Sequence, residues 1–277
     1  MYTGILELTL NDIDVAKLYE NRYSCDFYIN QYIVLRNEKG EIIDKGRWTK
    51  DGFTKLKYKP INNQLFGKFE PRNLQQEFAF DLMQNDSITG KLLIGGFGSG
   101  KTVISLVHSL DFILGKKQKF DRLIYLRNNI PTKNTIDVGA LPADLTAKIK
   151  PFAMPLADIL GEETQLDLLI ENGKIKLDHI GFIRGRSYKN SIIFLSEGQN
   201  TTQEIMALVI SRVGDGSILI VEGDMNQCDK NIFDEHSGIK AFAESLKGDM
   251  EFGVVNLIKN ERSRFASLSD KVMNYKV

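Results

Sequence analysis

The chain has 277 residues, with 36 Lys plus Arg balanced by 36 Asp plus Glu, 42% hydrophobic residues and 26% charged ones. Zero net charge excludes a globally basic nucleic-acid or membrane-surface binder, so any anion site is local, and the ordinary apolar content excludes disordered and fibrous classes. At roughly 150 residues per domain, the length fits one large domain, or a medium one with a small companion.

The opening MYTGILELTLNDID lacks the basic start and continuous apolar core of a signal peptide. Apolar runs such as residues 191–195 and 217–221 fall far short of the roughly 20 needed to cross a bilayer, so a cytoplasmic protein without membrane association is expected. Cys25 and Cys228 are far apart and His108, His179 and His236 are scattered, which predicts neither a disulfide framework nor a structural zinc.

Taken in chain order, residues 4–10 alternate as a strand, and Asn11 and Asp12 can cap a short helix to Glu20. Aromatic and β-branched residues then dominate to Tyr58. Turn chemistry at residues 38–41 and 50–52 predicts two hairpins sharing a strand. The polar, Gly-containing stretch 60–70 reads as the boundary, which divides the chain into a small β-rich domain at 1–66 and a larger domain at 67–277. A helix over 73–83 follows. Beyond it, the short runs KLLI, RLIYL, SIIFL, SILIV and VVNLI alternate with amphipathic helices at 102–114, 201–213 and 237–246. That pattern predicts an α/β domain with a mainly parallel sheet covered by helices. Pro151 and Pro155 should kink or divide the helical stretch 144–160.

Gly95, Gly96, Phe97, Gly98, Ser99, Gly100, Lys101 and Thr102 fit the Walker A pattern GxxxxGKT, placed after a strand and opening a helix. The glycines let backbone N–H groups converge on phosphate, Lys101 reaches the β/γ-phosphates, and the Thr102 hydroxyl can ligate Mg2+. ATP with Mg2+ is the expected ligand. The strand at 191–195 runs into Ser196-Glu197, where many ATPases place Asp-Glu: the Asp anchors hydrated magnesium and the Glu orients the attacking water. Here Glu197 is present and the Asp position is Ser196. Glu197 also reads as a solvated acid after a strand. The next strand runs into Gly223-Asp224-Met225-Asn226-Gln227. Asp224 can complete the magnesium shell and Gln227 can sense the γ-phosphate, against the plainer reading of a Gly-Asp turn.

Several motifs follow one another: Pro71-Arg72-Asn73 with Gln76, the P-loop, Leu126-Arg127, the VGALPADL segment at 138–145, Arg184-Gly185-Arg186, SEGQNTT, GDMNQ, and Asn260-Glu261-Arg262-Ser263. From Pro71 onward the chain resembles the PhoH-like family of P-loop ATPases, related to superfamily 1 helicase cores. The resemblance implies an α/β fold of the RecA-like P-loop type and ATP hydrolysis coupled to RNA or single-stranded nucleic acid, often in a ring-shaped homo-oligomer such as a hexamer. Some members carry a PIN nuclease domain ahead of a small β-rich segment; residues 32–69 look like that segment, and the stretch before them is too short for a nuclease. By the same resemblance Gln76 reads the adenine edge, although Asn73 and Gln76 also have the spacing of a helix cap. Arg262 matches the helicase arginine that approaches the γ-phosphate. Arg127, Arg184 and Arg186 are candidate contacts to nucleic-acid backbone or to a neighbouring subunit, since guanidinium forks suit phosphate of either ATP or RNA.

The leading expectation is an Mg2+-dependent ATPase, with Lys101, Glu197, Gln227 and Arg262 as its catalytic set and Thr102, Ser196 and Asp224 around the metal. An ATP-dependent oligomeric RNA-binding switch with little hydrolysis is the alternative, because Ser196 brings no charge. A small-molecule kinase or GTPase fits less well, there being no NKxD guanine signature.

Overall fold

The computed structural model describes residues 1–116, 118–128, 149–225, 227 and 231–261; the 138–145 motif and Arg262 lie outside the described residues. In chain order β1 (Ile5–Thr9) and α1 (Asp12–Tyr19) precede β2 (Tyr32–Arg36), β3 (Ile42–Thr49) and β4 (Gly52–Lys55). These strands form one sheet in the order β1-β2-β3-β4, with β1 parallel to β2 and the other pairs antiparallel. The two expected hairpins therefore share β3. Gly52 closes the second one at φ +96°, and a Cβ there would lie 1.8 Å from the Asn21 side chain, so the turn accepts only glycine. Asn11 caps α1 by accepting the Asp14 N–H.

The stretch expected to join the two parts is itself folded, as the hairpin β5 (Ile61–Asn63) and β6 (Gly67–Phe69). Buried Ile61 anchors it, and Asn63 Nδ2 donates to Asp111 Oδ1 at 3.0 Å. Polar turn residues made this segment look like a linker; the apolar residues bracketing them hold it down.

Next come α2 (Leu74–Gln84), β7 (Gly90–Gly95), α3 (Lys101–Leu114) and β8 (Arg122–Arg127). A 3₁₀ turn at Lys150–Ala153 leads into α4 (Met154–Leu160), each with a proline in its first two positions, and α5 (Glu163–Glu171) follows; residues 144–148 of the expected helical stretch lie outside the described residues. The chain continues through β9 (Ile175–His179), β10 (Ser191–Ser196), α6 (Gln203–Ile210), β11 (Ile218–Gly223), α7 (Asn231–Glu235), α8 (Gly238–Ser245) and β12 (Phe252–Leu257). Among the described residues, six strands form a sheet in the order β12-β7-β11-β10-β8-β9, and every pair is parallel.

Alternate residues of each strand enter opposite cores. Leu93, Tyr125, Ile192, Phe194 and Ile220 pack with α2 and α3, whereas Leu92, Ile124, Ile193, Leu195 and Val221 pack with α6 and α8. Burial on both faces is why these strands read as continuous apolar runs. It is the helix-covered parallel architecture of a RecA-like P-loop fold. β9, at the sheet edge, was not foreseen: Lys176 and Asp178 interrupt its apolar pattern, and the two pair with each other at 2.6 Å. Helix α6 starts beyond two adjacent threonines with different partners. Thr202 accepts the Ile205 N–H, while Thr201 Oγ1 donates to the Gly198 carbonyl.

The N-terminal sheet packs directly on the larger one. Tyr32 and Val34 enter the same apolar cluster as Phe78 and Leu82 of α2. Asp81 of α2, 2% exposed, receives the Tyr32 hydroxyl at 2.9 Å and lies 3.2 Å from the Arg47 guanidinium. Removing one partner of such a buried pair costs about 3–5 kcal/mol, because the other charge is left in a poor dielectric. Among the described residues no helix is long and apolar enough to cross a membrane.

Two polar groups lie deep between α2 and α3. Lys91 of β7 donates to the carbonyls of Leu82, Met83 and Asn85, finishing α2 from inside the core; burial pulls its pKa down to about 7. His108 of α3 is fully buried beside Phe80, with Nδ1 2.8 Å from the Ile104 carbonyl and Nε2 3.3 Å from the Gln84 amide. Those partners call for a neutral ring with its proton on Nδ1. Burial lowers the His108 pKa from 6.5 to about 4, so on acidification the unfolded chain takes up the proton first. The contribution is therefore complete above pH 6.5 and is lost as the pH falls towards 4, a change on the order of 3 kcal/mol. Urea unfolding at pH 7 and pH 4.5 should show a smaller acid loss in His108→Gln than in the unaltered chain. Equal losses would contradict this account.

Candidate nucleotide site

In an open parallel sheet, ligands sit beyond the carboxyl ends of the strands. Here β7, β11 and β10 are adjacent, and their ends bring the P-loop, Gly223-Asp224 and Ser196-Glu197 to one edge. β7 passes through residues 95–100 into α3. Gly98 and Gly100 have φ of +74° and +92°, the left-handed region that glycine enters without strain. At Gly95 a side chain is excluded for a different reason: its Cβ would lie 2.5 Å from the Leu257 carbonyl. Gly100 occupies the N-cap of α3 without any side-chain cap, so the first N–H groups of the helix remain available to an anion. Lys101 Nζ folds back to within 3.3 Å of the Gly96 carbonyl.

Neighbouring elements brace this loop. Ser99 Oγ donates to the Gly96 carbonyl at 2.9 Å, and the Glu261 N–H donates to the Gly98 carbonyl at 2.9 Å. Asn73 caps α2 by accepting the Gln76 N–H, and its amide donates to Glu261 Oε1 at 2.7 Å. Gln76 is 5% exposed; its Oε1 accepts the Arg72 N–H at 2.9 Å and its Nε2 donates to the Ser99 carbonyl at 3.2 Å. The amide thus ties the start of α2 to the P-loop. It retains one donor and one acceptor, the pair that matches an adenine edge.

The most buried polar cluster of the site joins α3, β10 and β11. Thr102 Oγ1 donates to Glu222 Oε2 at 2.5 Å, and Ser196 Oγ donates to Glu222 Oε1 at 3.2 Å. Glu222 is 1% exposed. Burial raises its pKa to about 7, against the lowering effect of the Thr102 hydrogen bond and the nearby Lys101 charge. Sequence reading missed this residue by ending the strand at Val221. The available signal was an ionisable side chain inside an otherwise apolar, doubly covered strand, a position that demands partners.

Glu197, half-buried, has φ +56°, a conformation uncommon for a residue with a Cβ and typical of constrained sites. Gln199 links it to the next strand end, its Nε2 donating to Glu197 and its Oε1 accepting the Asp224 N–H at 3.1 Å. Asp224 is 6% exposed, with Oδ2 3.9 Å from where a Cβ on Gly96 would stand. The Gln227 N–H donates to the Asp224 carbonyl at 3.3 Å. Among the described residues no three His, Cys, Asp or Glu side chains form a metal cage. The oxygen donors present nevertheless fit Mg2+, which is held by one or two protein groups together with phosphates and waters.

The arginines divide. Arg127 ends β8 in register with Ser196 and stacks on the Phe152 ring at 4.5 Å. Arg184 and Arg186 are exposed and follow β9. Arg186 lines a surface cavity with Arg122, Lys176 and Lys189, and lies 3.6 Å from Asp178. Because Arg122 begins β8, that cavity lies at the opposite end of the strands from the P-loop.

The double engagement of Gln76 generates a prediction. In Gln76→Ala, loss of the brace should lower ATP and GTP affinity together, and loss of base reading should add a further drop for ATP alone, to about tenfold in all. Competition binding with both nucleotides measures the two parts. Unchanged affinity for both would contradict the bracing role.

A family model described as PhoH-like protein matches residues 68–275. Protein PhoH2 of Bacillus subtilis is 30% identical over 97% of this chain and 64% of that protein. The PhoH-like protein of Synechocystis is 35% identical over 65% of this chain and 53% of its own length, and Protein PhoH of Escherichia coli 31% identical over 65% and 52%. The chain therefore spans less than two thirds of each of these relatives. With the family match covering the parallel sheet and its P-loop, the chain belongs to the PhoH-like family of P-loop nucleoside-triphosphate-binding proteins.

Proposed function

We propose that this protein binds ATP with Mg2+ at the P-loop edge and hydrolyses it, in a cycle coupled to RNA or single-stranded nucleic acid. The observation that carries the reading is the placement of Glu197 beside the P-loop edge, in a left-handed conformation and tied by Gln199 to the neighbouring strand end. A carboxylate held there can orient a water and accept its proton. Lys101 and the N–H groups opening α3 hold the phosphates. Thr102 and Asp224 offer oxygen to the magnesium, which when bound would neutralise charge on the phosphates.

Nucleic-acid coupling is supported by the cluster of Arg122, Lys176, Arg186 and Lys189 around one surface cavity, which stays net positive although Asp178 pairs with Lys176 and Arg186 and Asp215 lies 3.8 Å from Lys189. Its position at the far end of the strands from the P-loop favours a polyanion or a neighbouring subunit as the partner of Arg186, and exposed Arg184 belongs to the same reading. A ring-shaped homo-oligomer belongs to the same reading. A second reading, an ATP-dependent RNA-binding switch with little turnover, is favoured by the uncharged Ser196 at the end of β10.

Phosphate release from ATP and Mg2+, with and without single-stranded RNA, separates the two. Lys101→Ala should abolish nucleotide binding, whereas Glu197→Gln should retain it and lose at least about 100-fold in turnover. Tight ATP binding by the unaltered chain, with no release above Glu197→Gln, would establish the switch. For the basic surface, Arg184→Ala/Arg186→Ala should weaken RNA binding and reduce its salt slope by about 1–2. An unchanged slope with altered oligomeric state would assign the pair to the subunit interface.

A further inference from the structure

Anchoring a hydrated magnesium at a P-loop calls for a carboxylate near the helix hydroxyl, and Ser196 at the end of β10 does not supply one. The nearest fully buried acid stands one strand away. In the sheet, β11 lies between the P-loop strand β7 and β10, with Glu222 opposite Leu93 of β7 and one residue beyond the registered pair Leu195–Val221. From that central position one carboxylate reaches both walls of the site. Its Oε2 takes the Thr102 hydroxyl and its Oε1 takes the Ser196 hydroxyl.

We infer that Glu222 is the acid that anchors the hydrated magnesium of the bound nucleotide, acting from β11 in place of the carboxylate that β10 lacks, with Ser196 as the hydroxyl that orients it. This rests on the reading of the site as a magnesium–nucleotide site. A carboxylate with almost no solvent exposure is expensive to bury, and a protein retains one where its charge meets a cation or a donor set. Here Thr102 is the hydroxyl that the P-loop presents to magnesium, so a metal arriving there meets Glu222 at once. Conversely, an aspartate at 196 would face Glu222 across the gap now bridged by a hydrogen bond, and two carboxylates at that separation cannot both stay ionised. The serine is therefore the residue compatible with an acid on β11, and the pair acts as a unit.

The test is ATP binding measured by calorimetry with Mg2+ and with EDTA, in the unaltered chain and three variants. Glu222→Gln keeps the size of the side chain and removes its charge. It should retain affinity in EDTA within twofold, which also reports an intact P-loop, and should lose at least tenfold of the gain given by Mg2+. Ser196→Asp alone should not raise that gain, because its carboxylate opposes Glu222. Ser196→Asp combined with Glu222→Gln should restore it by returning one carboxylate to the site. A magnesium gain in Glu222→Gln equal to that of the unaltered chain would overturn the assignment while leaving the nucleotide site standing, with Asp224 as the remaining acid. Failure of the unaltered chain to bind ATP would overturn the underlying reading itself.

Discussion

Covering both faces of a parallel sheet constrains this structure more than any single contact. Strands β7, β11 and β10 bury nearly every side chain along their length, so polar chemistry appears where they stop. Those stops share one edge because the strands are parallel, and the P-loop, Ser196-Glu197 and Gly223-Asp224 converge without any long excursion of the chain. Glu222 is the exception that shows the rule. It sits inside the covered sheet, and its two oxygens are taken by hydroxyls of α3 and β10. An acid in that place joins helix, central strand and neighbouring strand through its two oxygens.

The P-loop is held from behind as well as from below. Gln76, Asn73 and Glu261 join the start of α2, the loop, and the chain after β12 in one hydrogen-bonded set. The N-terminal sheet reaches the same helix at its other contacts, through Asp81 and the Tyr32–Phe78 ring pair stacked at 4.9 Å. Helix α2 thus lies between the small sheet and the nucleotide edge.

Much of this was legible in the sequence, for identifiable reasons. Runs such as SIIFL and SILIV read as strands because both of their faces are apolar, and glycine spacing located the phosphate loop because only glycine takes the dihedrals of residues 98 and 100. What stayed hidden was information about neighbours. Strand β9 carries Lys176 and Asp178, whose side chains pair with each other two residues apart, and these charges erase the apolar signature. The cap of α6 depended on which of two adjacent threonines met the Ile205 N–H. Ser196 looked like a missing charge because a sequence does not state that β11 would lie beside β10 and bring Glu222 into reach.

A metal at this P-loop edge should meet the buried carboxylate of Glu222 on β11 through its water shell. The most direct measurement is a crystal structure with a non-hydrolysable ATP analogue and Mn2+, the metal being located by its anomalous signal. Manganese is expected beside the phosphates with Thr102 Oγ1 turned from Glu222 to the metal, and a metal-bound water held by Glu222. Manganese whose waters are held by Asp224 alone, with the Thr102–Glu222 hydrogen bond intact, would contradict it.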